Sequence, residues 1–277
     1  MDQRIDITMT AVLRPAIIER TLRSIVERIC KEYVDNFTLI INIDPVGEEG
    51  CTQQDILKLA HEHFTHVRAR MPAEPSFPLA LKWCWEQVSA EYVLHAEDDF
   101  EFVKDIDINH MVDIMDKHQD LALLRFDRGT DWDNPKDDMI GPYIIRSFLI
   151  KKVPGRLSKR PLRWLYHEDG FYRSPGWKGC FATSSALMRS SFTDGITPFL
   201  EDGISPERVV MFAWWLIEEW TREKVNALRQ HLKQFRSGLY AVPLAIKDQG
   251  RPWRKEQGLT KPDDNRGIGT TWIGGNK

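Results

Sequence analysis

The stretch Glu91-Tyr-Val-Leu-His-Ala-Glu-Asp-Asp-Phe-Glu101 limits what this chain can be more than any other. Tyr92 to Ala96 is a short apolar run that predicts a buried strand, and it ends abruptly in three acids, Glu97, Asp98 and Asp99. Carboxylates at the end of a buried strand are costly unless a cation sits among them. A hard divalent ion is the usual occupant, because Mg²⁺ and Mn²⁺ prefer carboxylate and phosphate oxygens. The carboxyl ends of strands are also where open α/β sheets bind ligands. The same residues would equally make a solvated acidic turn after an edge strand.

The rest of the chain bears on that choice. At 277 residues it suits one large α/β domain or two small ones sharing a cleft. Ile5 to Val12 reads as a strand and runs into Pro15, which suits the first turn of a helix carrying Ile18, Leu22, Ile25, Val26 and Ile29 at helical spacing. Phe37 to Ile43 predicts a second strand, closed by a turn at Asp44-Pro45. Thr52 and Asp55 form a capping pair for a helix to about His63, and 65–70 predicts a third strand. Pro78 opens a helix with Leu81, Trp83, Cys84 and Val88, and the acid-tipped strand follows. Alternation of this kind predicts a mostly parallel, doubly wound sheet. Further on, the pattern predicts a helix at 108–118, strands at 121–126, 143–150, 180–188 and 238–246, and a long helix at 205–235, broken once. From Lys247 the tail reads as irregular.

A formal charge of −3, with 42% hydrophobic and 29% charged residues, describes a water-soluble globular surface with no bulk attraction for polyanions. No run spans a membrane and the start lacks a secretory leader, so a cytoplasmic protein is expected, in a host cytoplasm if the gene belongs to a phage. Cys30, Cys51, Cys84 and Cys180 form no Cys-x-x-Cys pair and read as reduced, mostly buried thiols.

Thr10-Ala-Val-Leu-Arg14-Pro15, a helix with Thr21-Leu22-Arg23-Ser24-Ile25, a strand ending at Asp44 and the Glu97-Asp98-Asp99 tip form an ordered set. That set resembles the nucleotide-sugar half of a GT-A glycosyltransferase of the broad family 2 kind. The likeness covers roughly the first hundred residues, and Glu97 departs from the first acid of that family's Asp-x-Asp motif. It implies a single GT-A-like (Rossmann-like) domain over 1–277, with a nucleotide-sugar half at 1–105 and an acceptor half at 106–277. It also implies Mn²⁺ or Mg²⁺ on Asp99, assisted by Glu97. Thr10, Arg14, Asp44, Glu97 and Asp98 would contact the donor, a nucleotide diphosphate sugar and in the first instance a UDP-sugar. Taken alone, Asp44 reads as a simple Asp-Pro turn rather than a ligand contact.

The tail segment Lys247-Asp-Gln-Gly-Arg251-Pro-Trp-Arg254 offers Arg251 and Arg254 to the diphosphate, or is simply a solvated basic tail. Lys247 stands where many resembling enzymes place a metal-binding His. Those enzymes draw their general base from an acid at a helix start in the second half; here Glu207 is preferred, with Asp202 next, although an acid at the position of Glu207 equally serves the helix dipole alone.

Between Met139 and His167 there is no acid, yet Arg146, Lys151, Lys152, Arg156, Lys159, Arg160 and Arg163 are present. Trp164, Tyr166, Phe171, Tyr172 and Trp177 follow. Cations with interleaved aromatic planes suit single-stranded or flipped-out nucleic acid, and equally sugar rings or phosphorylated lipids. Lys159, Arg160, Arg163, Trp164, Tyr166 and Trp177 are the acceptor candidates. In size and in this segment the chain is similar to phage glycosyltransferases that decorate 5-hydroxymethylpyrimidines in DNA. A cell-envelope glycan or protein acceptor is the rival within the enzyme class, and a catalytically silent nucleic-acid-binding protein the rival outside it. His61, His63 and His66 straddle a helix end and read as surface residues, His95 as a core residue, and Trp214, Trp215 and Trp220 as packing.

Overall fold

The structure is a computed structural model describing residues 4–127, 165–174, 176–177, 181, 183–212 and 220–256, without the side chains of Leu165, Met211, Phe212, Arg251 and Lys255. The strand expected at 143–150, together with Trp214, Trp215 and Cys180, lies outside the described residues.

The expected strands of the first half form: β1 (Ile5–Leu13), β2 (Phe37–Gly47), β3 (His66–Arg70) and β4 (Tyr92–Glu97), then β5 (Phe100–Phe102) and β6 (Leu121–Arg125). In the second half come β7 (Leu165–His167), β8 (Phe171–Arg173), β9 (Ala186–Arg189), β10 (Arg236–Tyr240) and β11 (Ile246–Asp248). Nine of these make one sheet in the order β3-β2-β1-β4-β9-β6-β10-β8-β7. Only β9 and β8 run against the other seven strands, so the sheet is mostly parallel.

Helices cover both faces, as a parallel sheet requires. They are α1 (Pro15–Ile25), α2 (Gln53–His63), α3 (Phe77–Glu86), α4 (Ile108–Lys117), α5 (Ser190–Ile196), α6 (Arg222–Leu232) and α7 (Gly250–Glu256). β4 serves both faces: Tyr92, Leu94 and Ala96 enter the larger apolar cluster, while Val93 joins Leu81, Trp85 and Leu228 in the second. The Thr52–Asp55 capping box forms as read, and Pro15 sits at the start of α1, which continues as a π-helical turn at Val26–Cys30. Cys30 and Cys84 are buried free thiols and Cys51 is a half-buried one; burial pushes the Cys84 thiol up to about 12.

Several boundaries differ from the sequence pattern. β2 does not stop at Asp44 but runs through Pro45 to Gly47. Its ladder with β3 ends at Asn42, so Pro45 removes no cross-strand hydrogen bond on that side. Gly47 is required at the far end, since its φ is +146° and a Cβ there would lie 2.2 Å from the Leu13 carbonyl oxygen. Val88 falls just beyond α3. The strand expected at 180–188 shortens to β9, and the one at 238–246 starts earlier and splits, because the chain turns at Pro243 and Leu244, whose φ is +52°. The long helix is interrupted, with a π-helical turn at Arg208–Phe212 and a fresh start at Thr221, the N-cap of α6. The tail is ordered through Glu256: β11 pairs antiparallel with β5 and α7 follows.

Leu94 is fully buried in the central strand. Leu94→Ala should therefore cost about 2–5 kcal/mol in urea unfolding with an unchanged slope. A loss under about 1 kcal/mol would show that this face collapses around the cavity or is not packed as described.

Candidate active site

β1, β2 and β4 lie side by side, so Thr10 has Asn42 on one flank and Glu97 on the other. Just past these ends the chain buries three charges, Arg14, Asp98 and Asp99, at 3%, 4% and 8% exposure. Arg14 follows β1 with φ −141° and ψ 73°, immediately before Pro15 turns the chain into α1. Its Nη2 donates to Asp98 Oδ1 at 2.5 Å and its Nε to Asp98 Oδ2 at 3.2 Å, a two-pronged grip. The Val12 amide also donates to Asp98 Oδ2 at 3.1 Å. Arg14 Nη2 lies 3.1 Å from Asp99 Oδ2 as well. α1 fixes the turn from behind: Thr21 Oγ1 donates to the Asp98 carbonyl and Ser24 Oγ accepts from the Phe102 amide. Burial works against the guanidinium charge, but Asp98 and Asp99 outweigh it and hold Arg14 more firmly protonated than a free arginine.

The C-terminal segment closes the cluster. In the β5–β11 ribbon Asp248 stands opposite Phe100, and the Gln249 amide donates to the Asp99 carbonyl at 2.7 Å. Gly250 follows, where a Cβ would lie 1.8 Å from Asp99 Oδ2; only glycine fits against that carboxylate. Arg254 Nη1 reaches to 3.8 Å from Asp99 Oδ2. The Trp253 ring lies over Arg14, 5.4 Å from Cζ to centroid, and its Nε1 donates to Glu48 Oε1 at 2.8 Å. Burial raises the Asp99 carboxyl above the ordinary carboxylate range; Asp98 and Asp248 push the same way, against Arg14 and Arg254. Lys247, by contrast, is exposed on β11, paired in register with Glu101. Two tail residues act on Asp99, Arg254 and Asp248, and no sequence signal marked Asp248.

Two features of this buried cluster bear on a ligand. Arg14 Nη1 is buried with no hydrogen-bond partner among the described residues, an N–H suited to an anion. Among the described residues, Asp98 and Asp248 act on Asp99 in one direction and Arg14 and Arg254 in the other. Asp99 and Asp248 offer carboxylate oxygens, the donor type Mg²⁺ and Mn²⁺ prefer. Glu97 is half-buried at the strand end, its amide bonded to Ser185 Oγ.

Asp44 lies nearby inside β2, accepting from Asn42 Nδ2 at 2.8 Å, and burial raises its carboxyl too. The Ser76 backbone also donates to Asp44, while the Ser76 hydroxyl bonds Asp202 Oδ1 at 2.6 Å. Ser76, the N-cap of α3, therefore links Asp202 to the Asp44 side of the pocket. Glu207 is exposed. Glu201 is tied to Lys224.

Of the acceptor candidates, Lys159, Arg160, Arg163 and Trp164 lie outside the described residues, as does the Arg251 side chain. Tyr166 is 57% exposed, edge-on to Tyr172. Trp177 is half-buried against the second apolar cluster, and Phe171 is fully buried. His95 is a core residue bonded to Thr8 Oγ1, and burial lowers its ring to about 4. His61 and His63 end α2, and Trp220 is buried beneath Lys224.

No family model and no curated protein matches the sequence. Solved structures match it in fold. S. aureus TarS 1-349 in complex with UDP-GlcNAc aligns at a TM-score of 0.51 and 9% identity, over 88% of this chain and 58% of its own. Another S. aureus TarS structure gives 0.51 and 9%, over 89% and 36%. The mannosyltransferase PcManGT from Pyrobaculum calidifontis, in complex with GDP-Man and Mn²⁺, gives 0.51 and 10%, over 96% and 59%. The chain thus spans 36% to 59% of the length of these proteins. The fold they share with it is the GT-A α/β fold.

The electrostatics separate two neighbouring acids. Because the Asp99 carboxyl is raised in the folded state, its contribution favours folding below the ordinary carboxylate value of about 4 and is lost as pH climbs through the raised one. At neutral pH Asp99→Asn should leave stability unchanged or raise it. Asp98→Asn, which breaks the grip on buried Arg14, should lose about 3 kcal/mol or more. Thermal and urea unfolding of the two variants would check this, and the reverse order would contradict it.

Proposed function

We propose that this chain is a glycosyltransferase that moves a sugar from a nucleoside diphosphate to an acceptor hydroxyl, with Mn²⁺ or Mg²⁺ held at Asp99 and Asp248. The observation that carries the reading is the buried Arg14–Asp98–Asp99–Asp248 cluster at the carboxyl ends of the central strands, with its unpartnered Arg14 Nη1. The ligands of the fold neighbours add support: UDP-GlcNAc in TarS, GDP-Man with Mn²⁺ in PcManGT.

In this reading Arg14 Nη1 donates to a diphosphate oxygen, held in place by Asp98, and Arg254 and Arg251 add charge from the tail. Thr10, Glu97 and Asp44 face the ribose and base. The divalent ion supplies Lewis acidity that stabilises the departing diphosphate. Asp202 is better tied to the pocket than Glu207, through its bond to Ser76. It takes the proton from the acceptor hydroxyl as that oxygen bonds the anomeric carbon, and the bond to the diphosphate breaks with its electron pair on the phosphate oxygen. The acceptor we favour is 5-hydroxymethylpyrimidine in DNA. This rests on the basic run from Arg146 to Arg163 and the aromatic residues after it.

Incubation with UDP- and GDP-sugars and Mn²⁺ should release nucleoside diphosphate slowly without acceptor, and Asp99→Ala should abolish it. Hydroxymethylated DNA should accelerate release and gain one sugar mass per modified nucleoside; a DNA-independent rate would redirect the search to glycans or proteins. Asp202→Asn should lower kcat by about 10²–10⁴ with donor affinity kept, and Glu207→Gln should not. The opposite pattern would reassign the base. Replacing Lys159, Arg160 and Arg163 by Ala should lower the salt slope of DNA binding by about one unit for each cation that pairs with a phosphate. An unchanged slope would remove the basic run from the acceptor site.

A further inference from the structure

Outside this pocket, one cluster among the described residues brings metal-ligating side chains together. His118 follows α4 at its C-cap, and His167 and Asp169 belong to the β7–β8 hairpin, whose loop is Glu168-Asp169-Gly170. The loop closes with the Gly170 amide donating to the His167 carbonyl at 3.0 Å, and Gly170 adopts φ +87°, the left-handed conformation a three-residue hairpin loop needs. That turn aims the Asp169 carboxylate back at both imidazoles. Oδ2 lies 2.7 Å from His118 Nε2 and 2.9 Å from His167 Nδ1. The two rings meet edge to face with centroids 4.5 Å apart, and His167 stacks on Phe171.

We propose that His118 Nε2, His167 Nδ1 and Asp169 Oδ2 hold a transition-metal dication of the zinc class, at a site separate from the all-oxygen pocket at Asp99. Three ligand atoms, two imidazole and one carboxylate, lie within 4.8 Å of one another. Two His and one carboxylate suit Zn²⁺ and its neighbours, which favour nitrogen, rather than Mg²⁺. In a tetrahedron of about 2.0–2.1 Å bonds the ligand atoms stand roughly 3.3 Å apart, so both Oδ2 distances need open only by about half an ångström. The other carboxylate oxygen is already engaged: Lys117 Nζ holds Asp169 Oδ1 at 2.6 Å, the kind of outer bond that fixes a one-oxygen ligand.

His167 Nδ1 lies 3.4 Å from the Asp169 amide and 2.9 Å from the Asp169 carboxylate. A proton on Nδ1, or a dication bonded to it, would bridge this nitrogen to the carboxylate. Lys117 and His118 both bond the Asp169 carboxylate, which orients it at the two rings. The site would pin the edge hairpin to α4 and leave a fourth position for water.

The test uses the tag-free full chain, stripped with a chelator and titrated with Zn²⁺, with Co²⁺ as optical probe. One Zn²⁺ per chain should bind, raise the melting temperature and give a visible Co²⁺ d–d band. All three should persist in Asp99→Ala. His167→Gln and Asp169→Asn should each raise the Zn²⁺ dissociation constant by roughly 100-fold or more, since losing a ligand's outer partner alone costs about 10–100-fold. A folded wild-type chain that binds no Zn²⁺, or binding that survives both substitutions, overturns the proposal. So does binding that disappears in Asp99→Ala, which would return the ion to the oxygen pocket.

Discussion

The buried contact of Arg14 with Asp98 and Asp99 holds the surrounding architecture in place. At about 3 Å and an effective dielectric near 20, each ion pair is worth about 5 kcal/mol, against a desolvation cost of several kcal/mol per charge. The balance is close, so the charges remain buried only because the backbone completes it. Val12 and Arg14 come off the end of β1, Asp98 off the adjacent β4, and Thr21 of α1 holds the turn between them. Moving any one of these would strand a charge in the interior.

The charges of the cluster do not cancel. Asp98 is saturated by Arg14 and Val12, whereas Asp99 carries an elevated carboxyl because burial, Asp98 and Asp248 outweigh what Arg14 and Arg254 return. Gly250 leaves the carboxylate uncovered on the side where any other residue would strike it. In the proposed reading, Arg14 Nη1, without an acceptor among the described residues, would meet an anion, and Asp99 and Asp248 a dication. Fold likeness at 9–10% identity could not supply that conclusion, because one fold hosts many functions. The chemistry resides in these side chains.

Much of this was legible in the chain. Apolar runs bounded by Gly, Pro and acids located the strands, Thr52 and Asp55 marked a helix start, and the acids after Ala96 marked the candidate site. Contacts between distant residues were not legible. Nothing local joins Arg14 to Asp98, 84 residues on, or Ser76 to Asp202, 126 residues on. Asp248 sits in a polar Gly- and Pro-containing tail that reads as solvated until β5 pairs with it. Lys247 attracts the metal-site reading instead, although the alternation of a strand turns its side chain away from the face of Asp248. His118, His167 and Asp169 carry no warning in the sequence, because a helix end and a hairpin of three-residue strands leave almost no periodic signal. The aromatic residues near 171–177 read as a stacking surface, yet Phe171 serves the core, since composition does not reveal which way a ring faces.

If the proposed function is right, the pocket formed by Arg14, Asp99 and Asp248 binds a divalent cation together with a nucleoside diphosphate. Crystals grown with Mn²⁺ and UDP or GDP, measured for manganese anomalous scattering, decide the matter. The expected result is an anomalous peak coordinated by Asp99 and Asp248, with a diphosphate oxygen accepting from Arg14 Nη1. Nucleotide bound elsewhere, or a manganese-free pocket with Arg14 Nη1 still unpartnered, would contradict it.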